Sequence, residues 1–465
     1  MSKKYQMDIL NGPVLKKMLL YSLPLMASGV LQLLFNAADV IVVGRFAGDN
    51  SMGAVGSTSS LINLFTNLFV GMSVGVNVVV AKAHGAESHS DIHDAVHTSV
   101  LLSAISGVIL AVIGFVFAPQ MLEMMNATEA QLPLAVTYLR IYFLGMPAMM
   151  VYNFGSAVLR AVGDTKRPLY FLTAAGIINV GLNLIFVILL KMDVAGVALA
   201  TVISQCVSAV LVIICLMKDD TAIHLDLKQL KIKKEVLGSI VRVGLPAGFQ
   251  GMIFSLSNVV IQSSVNLFGD TVVSGNSSAS SIEGFVYMAM NTFYQAAISF
   301  TSQHVGAKKY RRIPKILFCA LACVTVTGLA LGWTAFFLGN RLLGIYSSTP
   351  EVIAAGMNRL SIIATTYAIC GMMDVMVGML RGLGYSIMPM IVSLVGACGL
   401  RILWIATIFQ IPEYHQSVST VYLSYPVSWG ITFVTHLVCY AVAWRLLKKR
   451  NAEAFTKDEA AAVNA

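Results

Sequence analysis

Three polar residues interrupt the first apolar stretch of this chain at helical spacing. Gln32, Asn36 and Asp39 fall at i, i+4 and i+7, on one face of a helix. An ionisable group inside a membrane helix costs about 2.5–3.5 kcal/mol on insertion scales, which makes Asp39 a functional candidate. Asn179 and Asn183 form a second stripe, at i and i+4 of another apolar stretch. Lipid offers no hydrogen bonds, so two such stripes satisfy each other best by meeting. Burial disfavours the charged form of a carboxylate while amide donors favour it, and a group held in that balance can exchange a proton. The competing reading is a hydrated Asp39 at the outer interface.

The second half of the chain carries different charges. Asp374 lies at the repeat position of Asn153, and Arg401 lies at that of Val180, next to Asn179. The repeat predicts that Asp374 and Arg401 approach each other, as a structural ion pair or as a second proton or substrate site. At about 1.5 Å of rise per residue they differ in depth by roughly 6–12 Å, so the arginine has to reach. Glu283 shares a helix face with Tyr287 and Tyr294, beside Met288. An acidic group among aromatic faces suits an organic cation, and methionine suits promiscuous contact. A lipid-facing or core stripe is the alternative. His89, His93 and His97 have the i, i+4, i+8 spacing of metal ligands, but a solvated helix face explains them more simply, and no metal site is expected.

These residues need a membrane scaffold. The 465 residues are 57% hydrophobic and 11% charged, with a mean hydropathy of +0.78. About a quarter of the residues of an ordinary soluble domain are charged, so a soluble enzyme is excluded. Twelve apolar stretches are long enough to cross about 30 Å of hydrocarbon. They run 15–42, 53–81, 96–118, 133–157, 168–190, 195–217, 238–267, 274–304, 315–338, 352–379, 387–409 and 423–446. The first is too long for a signal peptide, and Asn36 and Asp39 stand where small cleavage-site residues would be. With the N-terminus inside, the outer loops hold only Arg45, Lys191 and Arg341 of the 31 Lys and Arg, while Arg140, Arg359 and Arg401 lie within helices. That asymmetry follows the positive-inside bias, so the +9 charge reports topology and not a nucleic-acid partner. The seven cysteines lie in apolar helices without metal-like spacing and read as small hydrophobes. No H-E-x-x-H or G-x-S-x-G occurs, and no catalytic residues are assigned.

The scaffold is duplicated. Leu159-Arg160-Ala161-Val162-Gly163, followed by Pro168, recurs 221 residues on as Leu380-Arg381-Gly382-Leu383-Gly384, followed by Pro389. His84-Gly85-Ala86 is answered by Val305-Gly306-Ala307, and Leu23-Pro24 by Leu245-Pro246 one register off. Six crossings per repeat give both halves the same orientation, so they should be related by an axis along the membrane normal. This implies an N-terminal lobe (1–220), a cytoplasmic linker (221–235), a C-terminal lobe (236–447) and a cytoplasmic tail (448–465). Lys228, Lys231, Lys233 and Lys234 suggest an interfacial helix in the linker. The Ala-rich tail after Arg450 is expected to be mobile. Pro24 and Pro246 sit at matching positions, where a proline permits a kink.

The duplicated L-R-x-x-G with its following proline resembles the multidrug and toxic compound extrusion (MATE) transporters. So do Asp39-Val40-Ile41-Val42-Val43-Gly44-Arg45 and Gly196-Val197-Ala198-Leu199-Ala200-Thr201. The set is specific and covers essentially the whole chain. The resemblance implies an all-α fold of twelve transmembrane helices in two pseudo-symmetric six-helix lobes. It implies an exporter of amphipathic, often cationic small molecules across the cell membrane, driven by H+ or Na+ entry, without a cofactor and working as a monomer. Carried over by position, the coupling cluster comprises Gln32, Asp39, Asn153, Asn179, Asn183 and Thr201. Many relatives have aspartate where this chain has Asn183, a departure that removes a two-carboxylate site and favours the proton. A lipid-linked saccharide flippase of the same fold is the rival. It would be expected to line its cleft with several cations, and only Arg140, Arg359 and Arg401 qualify.

Overall fold

The computed structural model describes residues 5–47, 49–124, 131–415 and 417–463, and its regular elements are all helical. In the first half these are α1 (Val14–Phe46), α2 (Asp49–Gly85), α3 (His89–Met124), α4 (Leu132–Leu144), α5 (Met146–Ala161), α6 (Lys166–Asn183) and α7 (Asp193–Met217). The second half holds α8 (Lys234–Asn266), α9 (Asp270–Gly306), α10 (Ile313–Phe337), α11 (Gly339–Tyr346) and α12 (Pro350–Gly382), then α13 (Ile387–Ser393), α14 (Leu400–Ala406) and α15 (Pro412–His415), and finally α16 (Val418–Arg450) and α17 (Ala452–Val463). π-Helical segments follow α6 (Leu184–Leu189) and α13 (Leu394–Gly399), so the fifth crossing of each half is locally unwound.

Among the described residues, ten helical spans are long and apolar enough to cross a membrane, and α4 with α5 make an eleventh, bent by 46° at Gly145. At the place of the expected eighth crossing stands α9, 37 residues long. It is less apolar than the others because a run of serines and Asn276, Glu283, Asn291 and Gln295 lie along it, and of these Asn276 and Glu283 take part in a site. Elsewhere the usual inside-out logic of lipid holds. Along α3, Ile105, Val108, Ile109 and Val112 are exposed, whereas Ser99, Ser103, Ser106 and Gly107 are buried. Small residues face the protein and large apolar ones the surface that lipid would cover.

The repeated sequence words are helix stops. Asp164 N–H bonds Leu159 C=O (2.9 Å) and Gly163 N–H bonds Arg160 C=O (3.0 Å), and Gly163 has φ of 88°. Tyr385 and Gly384 repeat this onto Leu380 and Arg381, with Gly384 at φ 96°. Both are Schellman caps, which need a left-handed residue just past the helix. The His84-Gly85-Ala86 word and its partner end in the same way, but with Glu87 (φ 54°) and Lys308 (φ 57°) in the left-handed position. All four stops keep the 221-residue register.

Two compact units emerge, and they depart from the expected boundaries at the first and seventh crossings. Unit 1 comprises residues 1–8 and 27–248; unit 2 comprises 9–26 and 249–465. Helix α1 changes unit between Met26 and Ala27, two residues past Pro24, and α8 does so between Gly248 and Phe249, two residues past Pro246. The reason inside unit 1 is a close helix crossing. A Cβ on Gly71 would lie 2.3 Å from Gly248 Cα, and one on Gly75 would lie 2.2 Å from Ile240 C=O. Gly71-x-x-x-Gly75 and Gly244-x-x-x-Gly248 therefore bring the backbones of α2 and α8 together, as small-residue motifs do in membranes.

Two expectations for the polar segments are corrected. The linker is a strap, not an interfacial helix. Asp226 caps one 3-10 turn (Leu227–Gln229), Lys233 pairs with Asp94, and the Asp226 N–H donates to His97 Nε2 at 3.1 Å. His97 Nδ1 in turn bonds its own helix at His93 C=O, so this ring pegs the linker to α3. The three histidines thus divide into a buried peg (His97) and half-buried or exposed neighbours, and among the described residues no group of three or more His, Cys, Asp or Glu is placed to hold a metal. The tail is a docked helix: Phe455 of α17 stacks on Tyr310 at 4.4 Å and packs edge-on to Trp444, and Asp458 accepts from the Arg311 N–H. One buried phenyl ring anchors a segment whose composition alone reads as solvent-loving.

Candidate functional site

In unit 1, α1 and α6 bring Asp39 and Asn183 together. Asn183 Nδ2 donates to Asp39 Oδ1 at 2.5 Å and to Asn179 Oδ1 at 3.3 Å; Asn179 Nδ2 donates to Thr201 Oγ1 at 3.4 Å on α7. The two polar stripes do meet, through Asp39. Asn179 and Asn183 are 4% and 0% exposed, and Asp39 is half-buried. Asn183 Oδ1 is buried without a hydrogen-bond partner, an unmet acceptor next to the carboxylate. The rest of the expected cluster stays apart. Asn153 turns back on its own helix to Met149 C=O, and Gln32 and Asn36 are exposed.

In unit 2 the charged residues pair in an unforeseen way. Arg359 on α12 grips Glu283 on α9 through Nε–Oε1 (3.0 Å) and Nη2–Oε2 (2.7 Å), and its Nη1 donates to Asn276 Oδ1 (2.7 Å). Both side chains are buried. At the corresponding positions of the first half, 221 residues earlier, stand Ile62 and Tyr138, both buried. The ion pair belongs to one half only. A signal for it lay in the sequence: an arginine within a membrane helix needs a polar or charged partner, and Glu283 lies within the same half. What hid it was the separation of 76 residues, which no periodicity relates.

The expected Asp374–Arg401 pair is not formed. Arg401 donates from Nε to Ser428 Oγ at 2.9 Å, and its guanidinium lies 4.2 Å from the Tyr425 ring centroid and 5.4 Å from that of Trp429. Asp374 faces the Tyr287 hydroxyl instead, within the fields of Arg381 and Arg401. The depth offset between the two residues is met by aromatic rings and a serine on α16, and not by stretching the arginine.

A cavity of about 260 Å³ lies within unit 2, with Glu283 and Arg359 in its wall. Tyr287, Tyr367, Tyr425 and Trp429 line it as well. Of the residues expected to bind substrate, Glu283 and Tyr287 are in that wall, but Met288 and Tyr294 are not. Tyr294 accepts a hydrogen bond from Arg381, whose other amino group donates to Gln250 at 2.8 Å. The arginine of the second repeated motif therefore anchors α12 to α9 and α8.

Comparison with known proteins agrees with this arrangement. The MatE family profile matches twice, at residues 24–185 and 246–407, one match per half. The probable multidrug resistance protein YpnP of Bacillus subtilis is 27% identical over 394 residues, covering 85% of this chain and 88% of its own. The probable multidrug resistance protein YoeA of the same organism is 25% identical over 440 residues, covering 93% and 94%. A MATE crystal structure in a straight conformation superposes with a TM-score of 0.88 at 22% identity, covering 95% of this chain and 98% of that one. Duplicated helix stops, two lobes of crossings and a twice-matched profile lead to one assignment: the chain belongs to the MatE family of multidrug transporters, and is a multi-pass membrane protein and not an enzyme.

Proposed function

We propose that this chain is a proton-driven exporter of amphipathic compounds, cations among them, in which Asp39 is the coupling carboxylate. It works as a monomer in the plasma membrane with both termini in the cytoplasm. The observation that carries the reading is the hydrogen-bonded row Asp39–Asn183–Asn179–Thr201 with its unmet acceptor, Asn183 Oδ1. An ionised Asp39 accepts from the Asn183 amide. A protonated Asp39 has an O–H to donate, and rotation of the Asn183 amide would offer it the oxygen that now lacks a partner. Proton binding thus rewires the bond between α1 and α6, and the same rotation turns the Asn183 N–H away from Asn179 Oδ1, which carries the change along the row. Sodium would draw on the amide and hydroxyl oxygens of this row with one carboxylate to balance its charge, since Asn183 supplies no second one.

The chain path supports an alternating-access reading. Helices α1 and α8 each pass from one compact unit to the other just beyond a proline, so those two helices absorb any rearrangement. The flippase alternative is not favoured. The charge of Arg359 is balanced by Glu283, and Arg140 Nε bonds Phe115 C=O, which leaves too little net positive charge for a pyrophosphate.

Energetics sharpen the test. One proton in for one monocation out moves no net charge, so a membrane potential of about 2.3 kcal/mol per charge per 100 mV does no work on it. Ethidium efflux from vesicles should run on an imposed pH gradient and fail on a sodium gradient. Asp39→Asn at normal expression should lower it at least tenfold. Full export by Asp39→Asn, or efflux driven by sodium alone, would remove Asp39 and the proton from the mechanism.

A further inference from the structure

The unit 2 cavity has the wrong charge for the cation that Glu283 alone would invite. Both oxygens of Glu283 are taken by Arg359, so the wall carries a neutral pair and not an anion. Two of the four aromatic rings already meet a cation of the protein. Tyr425 lies under Arg401 at 4.2 Å and near Arg359 at 5.6 Å, and Trp429 near Arg401 at 5.4 Å. The quadrupoles of these two rings, which would attract an organic cation, are already met by the protein's own guanidinium groups. No carboxylate among the described residues pairs with Arg401, which is 3% exposed.

An anionic acceptor, by contrast, finds open donors. A guanidinium has five N–H groups. Arg359 uses three, toward Glu283 and Asn276, and two remain on a residue that forms the cavity wall. Around them stand three tyrosines and a tryptophan, the flat apolar surfaces that hold a ring system. At about 260 Å³ the cavity is at the small end of ligand sites and fits one fused ring pair with a short polar group.

We propose that this cavity is a binding site for aromatic carboxylates, zwitterions included, and that it selects against compounds whose only charge is positive. The carboxylate meets the spare N–H groups of Arg359, and the ring lies among Tyr287, Tyr367, Tyr425 and Trp429. A zwitterion adds an ammonium that can share the second lone pairs of Glu283. The proposal gives the exporter reading a substrate class for one lobe, and as a binding statement it stands without any ion gradient.

The test uses the purified full-length protein in lipid nanodiscs and a matched pair of probes, 2-naphthoate and 2-naphthylmethylammonium, titrated by calorimetry at neutral pH with no gradient. The wild type should bind naphthoate at least tenfold more tightly than the ammonium. Arg359→Met exposes the Glu283 charge and should invert that preference. Glu283→Gln/Arg359→Met removes both charges, keeps the shape and should abolish it, which covers the case in which the single variant does not fold. An ammonium preference in the wild type, binding of neither probe, or a preference unchanged in the double variant overturns the proposal. A failure of proton-driven efflux with naphthoate binding intact would count against the coupling reading alone.

Discussion

Breaking the Glu283–Arg359 pair from one side should cost far more than removing it. The pair is bidentate, at 3.0 and 2.7 Å, with side-chain exposures of 7% for Arg359 and 4% for Glu283. Removing one partner of a buried pair leaves an uncompensated charge, at about 3–5 kcal/mol, while replacing both by neutral groups of similar volume is often close to neutral. Glu283→Gln turns an amide N–H toward guanidinium donors. Arg359→Met leaves Glu283 bare and also takes the donor from Asn276 Oδ1, so it should be the more damaging of the two. An unfolding entropy of about 2.1 cal/mol/K per residue over 465 residues is about 1 kcal/mol/K, so each single change should lower Tm by about 3–5 °C. Glu283→Gln/Arg359→Met should recover most of that loss. Thermal unfolding of the nanodisc-embedded protein, followed by tryptophan emission, reads all three. Additive losses in the double variant, or a single variant within about 1 °C of wild type, would show that the charges are not coupled as the geometry requires.

The helix stops give two sharper contrasts. Gly384→Ala meets nothing within 4 Å and pays only for a left-handed backbone, about 1–2 kcal/mol, whereas Gly163→Ala also drives a Cβ to 2.5 Å from Met7 C=O and should lower Tm further. Equal losses would mean that the N-terminal segment yields freely. Lys308→Gly relieves a non-glycine residue at φ 57° and should raise stability by about 0.5–1 kcal/mol in the same assay, with a loss counting against the strain.

Much of the fold was legible because lipid permits so little. Apolar length marks crossings, and the 221-residue echo of Leu159-Arg160 in Leu380-Arg381 marks two halves before any contact is known. What escaped was set by tertiary partners. Helix α9 is polar because Glu283 and Asn276 have Arg359 to bond, and nothing within α9 announces that. The tail folds back because Phe455 finds Tyr310, and the linker stays down because His97 offers a lone pair to a backbone N–H. In the first lobe, Asp39, Asn179 and Asn183 were readable from spacing alone, since i+4 and i+7 positions share a face. Asn153 was carried over by resemblance, and its side chain bonds its own helix instead.

The duplication also explains why the chemistry of the halves can diverge without cost to the fold. Stops at Glu87 and Lys308 and at Gly163 and Gly384 hold each half in register through backbone bonds alone, which no side-chain change nearby needs to disturb. Positions between them are free to differ. Ile62 and Tyr138 pack where Glu283 and Arg359 bond, and the unit 1 amide row has no counterpart pair on α13 and α14 among the described residues. One unit thus presents a carboxylate bonded into a row of amides, and the other presents a pair whose charges cancel. A coupling site must change its charge during the cycle, and a buried ion pair resists that because each partner holds the other ionised. On those grounds the proposal gives proton exchange to Asp39 and recognition to Glu283 with Arg359.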